Sequence, residues 1–203
     1  MNALNKETQS NLTPNAALNI LKAGNKRFQE NIKEERNLKM QVEQTANGQF
    51  PFGVVLSCID SRVPVELVFD QGIGDLFSAR VAGNIINEDV LGSIEYGCKV
   101  AGSKVIVVLG HTKCGAVTAA SKAVELGNIT SLLSKIKPAI EVVKSQNIEI
   151  NQESVEKISV ANVTVSMDRI RKESPILAEM EEKGEIIIVG AIYNVSNGVV
   201  EFL

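Results

Sequence analysis

VIVVLGHTKCGAV, residues 105–117, is the stretch on which the reading of this chain turns. Its first five residues are apolar and four of them are β-branched, the signature of a short strand covered on both faces. Gly110 closes the run. His111 and Cys114 follow three positions apart in a polar turn, and small and apolar residues then resume at helical spacing. His111 is the sole histidine among 203 residues. A strand that passes through a short turn into a helix is the repeating unit of an α/β domain. Such a unit delivers its chemically active side chains at the carboxyl end of the strand.

Working outward, the same grammar recurs. Apolar runs at 53–57, 75–80 and 185–193 join 104–110 as predicted strands. Helical periodicity is expected over 64–69, 89–101, 115–126, 129–146 with an interruption at Pro138, 151–173 and 175–183, the last closed by Gly184. The Asn-Gly pair at 197–198 signals a turn, so 199–202 is expected to return as an antiparallel edge strand. Ahead of Gly53, Thr13-Pro14 reads as an N-cap and first helical residue. Leu18, Leu21 and Phe28 share one face of that helix, and a more polar helix is expected over 37–46. The expectation is one α/β domain over 13–203. It has a mostly parallel central sheet of four strands plus a C-terminal edge strand, helices on both faces and a helical arm over 13–47. Residues 1–12 are expected to be frayed.

Composition narrows the functional classes. Hydrophobic residues form 44% of the chain and charged ones 22%, a globular balance. A net charge of −3 argues against a nucleic-acid partner, whose binding rests on phosphate neutralisation. No apolar run is long enough to cross a bilayer, and no export signal is read at the start. Three cysteines, an odd number at wide spacing, suit reduced thiols in a cytoplasmic protein.

The chemistry gathers at two strand ends, SCIDSRVP (57–64) and GHTKCG (110–115). If those strands are neighbours, Cys58, Asp60, Arg62, His111 and Cys114 face one crevice. Two thiolates and an imidazole form a three-ligand zinc set that leaves a fourth position open, as catalytic zinc sites do. Cys114 also opens a helix, where the backbone favours a thiolate. Asp60 and Arg62 are two apart and project to the same side in an extended segment. Free, Asp60 would close the zinc site as a fourth ligand; gripped by Arg62, it would leave room for water. Cys98 lies on an apolar helical face and reads as core. Gly72 and Gly74 lack the third glycine of a dinucleotide fingerprint and read as a turn. A metal-free thiol enzyme built on Cys114 and His111 would leave Cys58, Asp60 and Arg62 without a task.

CIDSRVPVE, ARVAGN (79–84) and GHTKCGAV together resemble the β-class carbonic anhydrases. The resemblance implies zinc held by Cys58, His111 and Cys114, with Asp60 as an exchangeable fourth ligand and Arg62 as its partner. It implies one Zn2+ per subunit and a hydro-lyase that converts carbon dioxide to bicarbonate and a proton by attack of zinc-bound hydroxide. It further implies that Gln49 orients the substrate and that Phe77 and Tyr96 line the cleft. That cleft would stand at the interface of a homodimer or a dimer of dimers, Gln49 coming from the neighbouring subunit. Some bacterial members hold a second, inhibitory bicarbonate beside a tryptophan; the matching position here is Val55, and the chain has no tryptophan. A site open at neutral pH is therefore expected. Two alternatives stay open: a same-fold zinc hydrolase of carbon disulfide or carbonyl sulfide, and a non-catalytic zinc-binding protein.

Overall fold

A computed structural model describes residues 2–151 and 153–203. Three helices precede the sheet: α1 (Lys6–Ser10), α2 (Pro14–Gln29) and α3 (Leu38–Thr45). The first was not expected. Asn5 caps it in a reciprocal capping box with Thr8, and the buried Gln9 side chain donates to the carbonyls of Pro51 and Ala101 at 2.7 and 2.8 Å. Residues 6–10 are thus tied to the domain rather than frayed, because one amide side chain satisfies two buried carbonyls.

From Gly53 the chain alternates as its sequence suggests. β1 (Gly53–Ser57), α4 (Val65–Val68), β2 (Leu76–Arg80), α5 (Glu88–Glu95) and β3 (Val105–His111) follow in turn. Then come α6 (Gly115–Ser121), α7 (Gly127–Ser134), α8 (Lys137–Ser145), α9 (Val155–Glu173), α10 (Pro175–Glu182), β4 (Ile187–Tyr193) and β5 (Val200–Phe202). One element departs from the expected pattern. The helix from 88 does not stay α-helical to 101 but widens at Tyr96–Val100 into a π-turn, in which the Ala101 N–H reaches back to the Tyr96 carbonyl. The interruption expected at Pro138 is a break: α7 and α8 are separate helices, and Pro138 sits in the first turn of α8, where its missing N–H costs nothing.

Among the described residues the strands form one sheet in the order β2-β1-β3-β4-β5, parallel except for the antiparallel β4–β5 pair. Strict alternation sorts the strands between two cores. Val55, Val105, Val107 and Leu109 face Leu18, Leu21, Val68 and Phe69 on one side. Val54, Leu56, Ile106 and Val108 face Ile94, Val163, Ile170 and Leu177 on the other. Gly110 permits a close approach of α9, since a Cβ there would lie 2.7 Å from Val163 Cγ2. A third cluster under α6, α8 and α9 includes Cys58, Cys114, Ile136, Ile140 and Ile158. Strand order reverses between β1 and β3, so an open crevice is expected beyond their carboxyl ends.

Candidate metal centre

Three side chains meet at that reversal point. Cys58 leaves β1, His111 ends β3 and Cys114 stands at the N-cap of α6; all three are buried, and their donor atoms lie within 4.8 Å of one another. The turn between the last two is fastened at each residue. Thr112 donates its N–H to the Tyr193 carbonyl at 3.0 Å, and its hydroxyl accepts the Val195 N–H. Lys113 adopts a left-handed φ of 55°, and its N–H donates to Glu156 at 2.9 Å.

His111 is fully buried, and its Nδ1 lies 2.9 Å from the Thr112 carbonyl. That contact places the proton on Nδ1 and leaves the Nε2 lone pair free. Nε2 is buried with no hydrogen-bond partner in the protein, an arrangement that costs stability unless something else engages it. The orphaned nitrogen faces two sulfurs, which is the donor chemistry of a zinc site. The residues present fit such an ion.

The sulfurs differ in acidity. The hydrogen bond from Cys114 pulls the Cys58 thiol down to about 4 against the opposing effect of burial, helped by His111 and the Gly83 N–H. Cys114 moves upward, because its proton is held by the Cys58 thiolate and because it is buried; the N–H groups of Ala116 and Val117 only partly offset this. Burial alone would lower the His111 pKa, but the neighbouring Cys58 sulfur, together with the Thr112 carbonyl and the Asp60 charge, outweighs it and raises it.

Asp60 and Arg62 form a bidentate pair at 2.9 and 2.7 Å, and the Arg62 N–H adds a third bond to Asp60 Oδ1. Arg62 holds the Asp60 carboxyl far below its usual range, despite some burial. Asp60 Oδ2 remains 3.9 Å from His111 Nε2. The carboxylate therefore lies beside the three donors, turned towards arginine. Arg62 also reaches the Lys113 carbonyl at 3.4 Å, joining the two ligand-bearing loops. Arg80 donates to the carbonyls of Cys58 and Asp60 at 3.0 and 2.6 Å, while Val55 is fully buried in the core. The Arg80 guanidinium thus braces the backbone of the loop that carries Cys58 and Asp60.

Other expected site residues lie apart within a single chain. Phe77 and Tyr96 pack edge to face, centroids 6.1 Å apart, in a hollow of about 660 Å3 shared with Val54, Glu88 and Ser93. Gln49 lines a second hollow of about 710 Å3 with Gln9 and Lys104, and Tyr96 borders both. The lining of neither hollow includes Cys58, Asp60, His111 or Cys114. Cys98 is buried and its thiol is pushed up to about 12 by that burial, so it is inert core.

The carbonic anhydrase family model matches residues 53–200. The chain belongs to the β-carbonic anhydrase family. Carbonic anhydrase 2 of Mycobacterium tuberculosis is 34% identical over 194 residues, which cover 93% of this chain and 92% of that one. Among solved structures, the β-carbonic anhydrase CafA of Aspergillus fumigatus superimposes with a TM-score of 0.73 at 28% identity, covering 93% of this chain and 89% of that one. Two tetrameric β-carbonic anhydrases of Sordaria macrospora share the fold, with a TM-score of 0.74 at 23% identity over 92% of this chain and 93% of theirs. Sequence reading of this family member missed Thr112, Glu156 and Gly83, whose N–H lies 3.3 Å from Cys58 Sγ. The glycine in VAGN was a visible turn signal; the other two act through backbone contacts that no local pattern announces.

Proposed function

We propose that this protein is a zinc-dependent carbonic anhydrase, hydrating carbon dioxide reversibly to bicarbonate and a proton. Cys58, His111 and Cys114 would hold the ion. The observation that carries the reading is the Asp60–Arg62 pair beside those donors, because a carboxylate occupied by arginine leaves the metal a position for water. Bound zinc acts as a Lewis acid that makes such a water a nucleophile near neutral pH. Asp60, kept ionised by Arg62, would accept a hydrogen bond from such a water and orient it towards the substrate carbon. The attacking oxygen would become the hydroxyl of bicarbonate as the electron pair of one C=O π bond of carbon dioxide moves onto its oxygen, giving the single C–O− group, and one proton of the water is released. His111 is committed by both ring nitrogens and no other histidine exists, so buffer or solvent must carry that proton away. A closed, non-catalytic zinc site is disfavoured by the same pair, since Asp60 would have to leave Arg62.

Phe77, Tyr96 and Gln49 are proposed to complete the substrate cleft in a homodimer or dimer of dimers, with Gln49 supplied by the neighbouring subunit. Supporting this, Tyr96 is 54% exposed and Val100 71% exposed in the isolated chain. The shared fold of tetrameric relatives points the same way. No helix among the described residues is long and apolar enough to span a membrane. Three free cysteines favour a reducing, cytoplasmic setting.

Metal analysis joined to a stopped-flow hydration assay tests the proposal. One zinc per chain and proton release from carbon dioxide are expected, and Cys114→Ala should lose both together. A zinc-loaded protein inactive between pH 7 and about pH 9, where zinc-bound water ionises, would refute it.

A further inference from the structure

Cys58 draws its backbone support from a turn distant in the sequence. The turn at Ala82–Asn84 passes the Cys58 sulfur and presents the Gly83 N–H to it at 3.3 Å. Its backbone is uncommon, with Gly83 at φ 71° and Asn84 at φ 42°, two successive residues in the left-handed region. Such conformations persist only where the surroundings over-determine them. Here the surroundings are one stripe of α9. Asn162, 2% exposed, donates Nδ2 to the Gly83 carbonyl at 2.8 Å. Ser166 donates to the Asn84 carbonyl at 3.2 Å, and Arg169 to that of Ile86 at 2.9 Å.

The geometry points to Asn162 as a positioning residue of the metal centre: by gripping the Gly83 carbonyl it keeps the Gly83 N–H aimed at the Cys58 sulfur. An N–H donated to a thiolate draws off part of its charge and fixes the direction of its remaining lone pairs. Gly83 is one step removed from the ligand, where loss of a partner costs roughly ten- to a hundredfold in metal affinity; Asn162 acts through it, so its loss should cost about tenfold, the lower end. The inference rests on the reading of Cys58, His111 and Cys114 as zinc ligands.

The test compares wild type, Asn162→Ala and Arg169→Ala by zinc competition against a chromophoric chelator and by the absorption spectrum of the cobalt-substituted protein. Asn162→Ala should bind zinc about tenfold more weakly and shift the sulfur-to-cobalt charge-transfer band. Arg169→Ala, whose bond falls beyond the turn, should melt earlier yet keep both metal signatures. An Asn162→Ala protein with wild-type zinc affinity and cobalt spectrum would overturn the inference. Should that variant not fold, cadmium-113-loaded wild type decides: the Gly83 amide proton should couple to the metal through sulfur, and absence of that coupling overturns it. Wild type that takes up none of these metals would instead defeat the ligand reading itself, and the inference with it.

Discussion

Asp60 and Asp70 flank the same short helix α4, and each is held by arginine, yet their surroundings differ. Asp70 is buried, with its side chain 6% exposed, and Arg36 beside it is 7% exposed. Arg36 and Arg27 bond its two carboxylate oxygens, Arg36 also takes its carbonyl, and the Glu34 N–H adds a further bond. These contacts stitch the N-terminal arm onto the domain. At Asp60 the arginine is about half exposed, 48% by side chain. An ion pair open to water contributes little to stability. A buried one that has met its desolvation cost leaves a stranded charge when either partner is lost. The same chemistry thus serves as a fastener in one place and as a means of aiming a carboxylate in the other.

That contrast can be broken by substitution. The largest effect expected is on turnover: Arg62→Ala should keep its zinc and its melting temperature but lose carbon dioxide hydration by about a hundredfold or more, as misplaced catalytic groups do. Paired zinc analysis and stopped-flow assays check this, and a fully active variant would show that Asp60 needs no partner. Asp70→Asn should do the reverse. Chemical denaturation is expected to show a loss of about 3 kcal/mol, the lower end for breaking a buried pair because Arg27 is partly exposed. Turnover per zinc should be preserved.

A smaller effect sharpens the comparison through pH. Burial alone would raise the Asp70 pKa, but the bonds from Arg27, the Glu34 N–H and Arg36 hold it below the usual carboxylate value. A depressed folded-state pKa gives stability that is present above the unfolded pKa and lost as pH falls through the folded one. Denaturation midpoints of wild type and Asp70→Asn should therefore differ at pH 7 and converge below about pH 4. A gap that persists at low pH would mean that the arm is held by packing instead of charge.

The architecture was legible because its signals are local. Strand runs such as Val105–Leu109, the Asn-Gly turn and the helix breaks all act within a few residues, and the structure places the strands nearly where the runs fall. The convergence of Cys58, His111 and Cys114 could be anticipated only by assuming that β1 and β3 are neighbours, which the sheet order supplies. What stayed hidden depends on distant partners. Residues 1–12 look frayed until Gln9 is seen to cap two carbonyls beyond its own helix. The π-turn at Tyr96 answers to packing of Gly97 against Val54 and Phe77, not to propensity. Asn162 carried a faint signal, since Ser159, Asn162 and Ser166 are polar residues on the buried stripe of α9.

The register of the central strands has a consequence for how readily the centre can be filled. β1 and β3 are adjacent and paired with Ser57 opposite Leu109, so Cys58, one residue past β1, and His111, the last residue of β3, stand on neighbouring strands. The gap between such strands, about 4.8 Å in any sheet, acts as a ruler that cannot stretch without unzipping the middle of the fold. An incoming ion therefore meets a seat whose spacing was settled when the sheet formed, and little chain entropy remains to be given up on its arrival.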